Sequence, residues 1–158
     1  MTAASKDRYG ERQPSELCPY TGASGYTYYK HTMLKHDADG SGIHPAASGD
    51  GVSGSHFIGV AANGVDLSAG LGASQMTLNV WKTGEFTFAV NGTGVSAHIG
   101  QRAYILDDQT VGVSIGAPCL TAGEIVGVPS TSTYRVRIDN AVNLGFNDHG
   151  VSWEWDQN

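Results

Sequence analysis

Cysteine and charge are both scarce in this chain of 158 residues, which carries two Cys and only 15% charged residues. Cys18 and Cys119 stand far apart with no Cys-x-x-Cys pair, which excludes a disulfide framework or a thiolate metal knuckle and leaves two reduced, unrelated thiols. Proline is limited to five residues, too few for a proline-rich linker, and the 22 glycines lack the every-third-residue period of a collagen-like chain. Nine Lys and Arg against 15 Asp and Glu give a formal net charge of −6, so the basic face of a duplex nucleic-acid binder is missing. No segment approaches the ~20 consecutive apolar residues that span a bilayer. The stretch Met1 to Arg12 is polar, unlike a secretory signal, and predicts a protein made in the cytosol or released by lysis.

What the chain does have is a succession of short apolar segments between His56 and Asn140. His56 to Ala62 reads as a buried strand ended by the Asn63-Gly64 turn signal. Met76 to Trp81 and Glu85 to Val90 both alternate apolar with polar around Lys82-Thr83-Gly84, predicting a hairpin with one buried face. Arg102 to Leu106, Thr110 to Ile115, Glu124 to Val128 and Thr133 to Ile138 follow, each bounded by Gly, Asp, Pro or Ser. Asn91-Gly92-Thr93 reads as a turn, and a short helix near Val95 to Gly100 fits the pattern. Strands spaced in this way, with no amphipathic helix between them, predict an all-β fold: a small barrel or sandwich over residues 56–140. Residues 1–55 hold no sustained period of 3.6 or 2 and read as a long extended N-terminal arm, while 141–158 form a short, acidic, aromatic C-terminal tail. On that division, removing residues 1–55 leaves a folded barrel.

An apolar knot interrupts the arm from Tyr20 to Leu34, with Tyr26, Tyr28, Tyr29, Met33 and Leu34. Segments that stay disordered are poor in aromatics, so the knot docks either on its own core or on a neighbouring subunit. In the last predicted strand Tyr134, Val136 and Ile138 share one face and Arg135 and Arg137 the other. Those arginines form a solvated cationic face or pair with carboxylates of a neighbour. Val151 to Trp155 alternates like an added strand, and Trp153 and Trp155 are either interface anchors or packed back on the barrel. Tyr26, Tyr28, Tyr29, Met33, Leu34, Arg135, Arg137, Trp153 and Trp155 are therefore the candidate contacts to a partner or a neighbouring subunit.

Chemistry is thin by comparison. Asp37-Ala38-Asp39-Gly40-Ser41-Gly42 matches the opening of an EF-hand loop, but Ser48 stands where the bidentate glutamate belongs, so a glycine-rich turn is the reading taken. His31, His36 and His44 lie near those carboxylates at a spacing that fits no familiar metal site, and no metal or cofactor is expected. Asp107-Asp108 reads as a turn between strands, since neighbours on a strand point to opposite faces. There is no nucleophile elbow, His-Glu-x-x-His or phosphate-cradling glycine loop, so an enzyme is not expected; His36 and Asp39 would be the residues of a hydrolase.

Several blocks in order carry a family resemblance: Phe57 to Asp66, Val80 to Phe86, Ile99 to Val111, Ile125 to Val128 and Tyr134 to Ile138. Together they resemble the small tailed-phage head proteins of the capsid decoration, or cement, group. The resemblance implies a β-barrel or β-tulip-like module that trimerises on the outer surface of the virion capsid and clamps neighbouring major capsid proteins. The arm and the aromatic tail depart from the shorter members of that group. A second reading, from the exposed tryptophans of a β-module, is glycan binding or host attachment with Trp81, Trp153 and Trp155 as the platform.

Overall fold

The computed structural model describes residues 17–52, 54–69, 77–113 and 119–139. Among them are twelve strands: β1 (Leu17–Thr21), β2 (Thr27–Tyr28), β3 (Met33–His36), β4 (Ile43–Pro45), β5 (His56–Ala61), β6 (Val65–Asp66), β7 (Thr77–Trp81), β8 (Thr83–Val90), β9 (Arg102–Ile105), β10 (Thr110–Gly112), β11 (Thr121–Ser130) and β12 (Thr133–Asp139). Two single 3-10 turns, Asp50–Val52 and Ser96–His98, are the only helical elements among the described residues. The fold is all-β.

A closed five-stranded barrel runs in the order β10-β8-β12-β11-β9, with β10 parallel to β8 and antiparallel to β9. Its longest ladder joins β8 to β12, from Thr133 opposite Ala89 to Asp139 opposite Thr83. Period-two alternation sends Tyr134, Val136 and Ile138 inside, where all three are buried, and Arg135 and Arg137 outside, as the sequence pattern predicts. Phe88, Ile105, Val111, Leu120 and Ile125 pack with Tyr134, Val136 and Ile138 in the same core. Burying each such side chain contributes about 1.5–3 kcal/mol. The Ser96–His98 turn is pinned to this core where the Tyr134 hydroxyl meets His98 Nδ1.

The second sheet corrects the expected division of the chain. Its order is β1-β7-β5-β3-β4, so three of its strands come from residues 17–52, the stretch read as an extended arm. The described part of that stretch is folded, and the barrel starts at β8 rather than at residue 56. The strands escaped detection because they are three to five residues long and because β3, beside β5, is buried on both faces. Met33, Phe57 and Val60 join the barrel core, whereas Leu34, Ile58 and Ala61 join a second cluster with Tyr28, Ile43, Leu67, Leu78 and Val80. Two-sided burial explains why β5 reads as a continuous apolar run.

Tyr28, Met33 and Leu34, candidates for a partner surface, are thus core residues, 1%, 0% and 0% exposed. Of the two destinations open to the knot, these three side chains take the chain's own core. The Tyr28 hydroxyl donates to the Ile43 carbonyl at 2.5 Å, which satisfies its polar end.

The hairpin predicted from residues 76–81 and 85–90 does not form. Only Lys82 separates β7 from β8, too short a link for the two to fold back on each other, and they enter different sheets. At the far edge, Gly22 bridges Ile43 and the Ala23 N–H donates to the Ile43 carbonyl at 3.1 Å, which curls the second sheet towards closure. Pro19 guards the open stretch of β1. Opposite it, the Asn79 N–H donates to Asn63 Oδ1 and the Asn79 carbonyl accepts the Ala62 N–H, both at 2.8 Å and both away from β1. Pro19 therefore directs its missing donor outward, blunting the edge without losing a ladder bond.

Candidate functional site

The aspartate loop joins β3 to β4 and is held as a turn: the Gly40 N–H donates to the Asp37 carbonyl at 3.1 Å, and the Ser41 N–H to Asp39 Oδ1 at 2.8 Å. Gly40 and Gly42 adopt positive φ, which this turn requires. The cation of the loop is internal. Lys35 Nζ lies 2.8 Å from Asp37 Oδ1 and 2.6 Å from Asp50 Oδ1, and the Ser55 hydroxyl donates to Asp37 Oδ1 at 3.0 Å. Burial alone raises the Asp37 carboxyl, but the Lys35 ammonium, the Ser55 hydroxyl and the nearby His44 outweigh it and hold the group below its ordinary value.

A Ser, a His and an Asp do meet here. Ser41 Oγ is 3.0 Å and Asp37 Oδ2 3.3 Å from the same His44 nitrogen, Nε2. A nucleophile, base and orienter need the two partners on opposite ring nitrogens, so that the proton taken at one is balanced by a bond at the other. This arrangement does not provide that relay. The other two histidines are elsewhere: His36 stands opposite His56 in the β3–β5 ladder, and His31 lies in a separate groove. Asp107 and Asp108 form the β9–β10 turn. Asp107 Oδ1 accepts the Gln109 N–H at 2.8 Å, and the Asp108 carbonyl accepts the Met33 N–H at 2.7 Å.

The groove that holds His31, about 970 Å³, wraps the end of the β8–β12 ladder where the chain crosses from the second sheet into the barrel. Trp81 and Phe86, both half-buried, pack partly on the barrel core and partly line the groove. Arg137 stands directly opposite Glu85 in the ladder, and its Nη2 donates to Glu85 Oε1 at 3.1 Å. Arg135 Nε lies 3.6 Å from the other oxygen of the same carboxylate. Both arginines therefore meet a carboxylate of their own chain, on a solvated strand face. The strand registers also set Arg102, Glu124, Arg137 and Glu85 in one row across β9, β11, β12 and β8.

No protein-family model, curated protein or solved structure matches the chain.

The remaining features are on the outside. Among the candidate contact residues Tyr26 and Tyr29 are exposed, 42% and 62%, and Leu17, Val95 and Ile99 join them as large apolar groups facing solvent. Tyr26 sets its ring edge-on to His44, 4.7 Å between centroids. The sequence reading missed Leu17, Val95 and Ile99. For the last two a signal existed, since they fall within the short helix expected near Val95 to Gly100, inside a glycine-rich connection, and flank the Ser96–His98 turn that forms there. Trp153 and Trp155 lie outside the described residues.

Proposed function

We propose that this protein is a capsid decoration protein of a tailed phage: a non-enzymatic module that binds the outer surface of the virion, as a trimer, and stabilises contacts between major capsid proteins. The observation that carries the reading is the disposition of its groups. The mostly buried charges Lys35, Asp37 and Asp50 are paired with one another, while Leu17, Tyr26, Tyr29, Val95 and Ile99 are exposed on a body of one closed barrel and one curled sheet. A rigid scaffold that spends its charges on itself and presents separate apolar anchors suits attachment at several points, where avidity replaces any single strong contact.

The test is sedimentation of the full chain with expanded, undecorated heads. Saturable co-sedimentation at a fixed ratio to the major capsid protein is expected, with trimers in the bound fraction by cross-linking. A folded protein that stays in the supernatant at all head concentrations overturns the reading.

A further inference from the structure

The groove at the end of the β8–β12 ladder is built from parts that the decoration reading leaves unused. β8 and β12 stay in register out to Thr83 and Asp139, and the groove runs along this end of the ladder, lined by Thr83, Glu85, Arg137 and Asp139. Trp81, at the end of β7 and half-buried, brings an apolar ring to the groove, and Phe86 of β8 adds a second. Beside these rings stands the Glu85 and Arg137 pair, two planar groups fixed opposite each other by strand register.

The polar capacity of this pair is far from used up by its mutual contact. A guanidinium carries five N–H donors and a carboxylate about four acceptor sites. The bonds to Glu85 involve one Arg137 nitrogen and, on the other carboxylate oxygen, the longer approach of Arg135. Donors and acceptors set side by side next to an aromatic plane are complementary to a ring that has an apolar C–H face and adjacent hydroxyls at its edge, each hydroxyl both giving and accepting a hydrogen bond. Charge narrows the choice further. Glu85 and Asp139 face a single arginine in the groove, and the chain is net negative, so phosphate, sulfate and carboxylate ligands are disfavoured. The volume lies at the upper end of the ~300–1,000 Å³ typical of small-ligand sites, room for more than one ring.

His31 is at the same groove with φ of 69°, the left-handed region, fixed there by its N–H bond to the Ala61 carbonyl at 2.8 Å and by the Thr32 hydroxyl bond to the Tyr29 carbonyl at 2.7 Å. It is the one non-glycine residue with positive φ among those described. Held strain of this kind positions a side chain at a cost the surrounding structure must offset.

We infer that this groove binds a neutral oligosaccharide, one ring stacked on Trp81 and its hydroxyls shared between Glu85 and Arg137. The inference does not rest on the decoration reading, and head binding can fail while it stands. The test is an array of neutral oligosaccharides that includes maltotriose and chitotriose, with 3′-sialyllactose as the anionic comparison, followed by calorimetry on the hits. Saturable binding to a neutral glycan is expected. Arg137→Gln removes a charge-assisted donor from an exposed position and weakens that binding about tenfold or more. Trp81→Phe keeps the core contact while shrinking the stacking face, and it weakens binding too, which guards against a variant that merely unfolds. Absence of binding across the neutral array, preference for the sialylated sugar, or affinity unchanged in both variants each overturns the inference.

Discussion

Lys35 and Asp50 meet at 2.6 Å, and through that contact the β3–β4 hairpin is tied to the segment leading into β5. The same ammonium holds Asp37 at 2.8 Å, and Asp50 Oδ2 accepts the Ala47 N–H at 2.6 Å. All three charged side chains are mostly buried, 11–23% exposed, so one cation compensates two carboxylates in a place where water does little of that work. The loop that resembles a cation site in sequence is thereby a closed electrostatic clip between two strands.

Replacing Lys35 by Met leaves both carboxylates without their cation and is expected to lower stability by about 3 kcal/mol. Urea denaturation followed by circular dichroism measures it. A midpoint equal to that of the unmodified protein refutes the clip.

The same clip sets a pH profile. Asp37 has a depressed folded value, so its contribution is present above the ordinary aspartate value of about 4 and is lost as pH falls through the folded one. Burial lowers Lys35, but its bonds to Asp37 and Asp50 prevail and raise it, so its contribution is present below the ordinary lysine value of about 10.4 and is lost as pH rises through the folded one. Burial likewise raises the Tyr28 phenol, which adds to the alkaline loss. Asp108, raised by burial and by the Asp107 charge, works against Asp37 in acid because the folded chain favours its protonated form. Stability is expected to hold a plateau between the two flanks. Asp108→Asn should steepen the acid flank and Lys35→Met should flatten it; identical profiles for all three proteins contradict this account.

The barrel strands were legible because each carries one signal at a time. Tyr134, Val136 and Ile138 alternate with Arg135 and Arg137, and turn residues bracket the strand. Strand β3 of the second sheet was not legible, since the adjacent Met33 and Leu34 are both fully buried, on opposite faces, and the period-two contrast vanishes. The β7 and β8 alternations were read correctly but joined wrongly, because a hairpin pattern does not reveal that a single residue, Lys82, carries the chain between sheets. The groove was invisible for a different reason. Trp81, Glu85 and Arg137 come together only through the β8–β12 register, a non-local pairing that no local window contains.

Gly59 is expected to be the least replaceable glycine of the second sheet. Leu34 pairs with Gly59 and Lys35 with Phe57, so Ile58 and Gly59 form a β-bulge, and Gly59 has φ of 140°. A Cβ there would lie 2.2 Å from the Trp81 carbonyl oxygen, which backbone cannot yield without breaking the β5–β7 ladder. Gly59→Ala should cost at least about 3 kcal/mol by thermal or urea unfolding, whereas Gly92→Ala, with nothing near its Cβ, should lose only the smaller penalty of its positive φ. Equal losses at the two positions would count against the bulge geometry.

Removal of residues 1–55 is expected to destroy the fold rather than leave a free barrel. The truncation strips β1, β3 and β4 from β5 and β7 and uncovers Phe57, Ile58, Val60, Leu78 and Val80 together. Met33 and Ala46 also leave the barrel's own core. Size-exclusion chromatography and amide exchange on the 56–158 fragment should report aggregation or loss of protection; a monomeric fragment with protected β8 and β12 amides would restore the independent barrel.

Tyr29 and Met33 separate surface from core within five residues of chain. Met33 is fully buried in the barrel cluster, and Met33→Ala should cost about 2–5 kcal/mol. Tyr29 is 62% exposed, so Tyr29→Ser should change stability by no more than about 0.5 kcal/mol. On the decoration reading the ranking inverts for head binding. Tyr26→Ser with Tyr29→Ser removes two exposed aromatic anchors and should weaken co-sedimentation with expanded heads about tenfold or more, while the fold remains intact. Unfolding midpoints and co-sedimentation isotherms measured on the same preparations decide the matter. If the double variant binds heads like the unmodified protein, the tyrosines are surface residues without a role in docking, and the contact must be sought at Leu17, Val95 and Ile99.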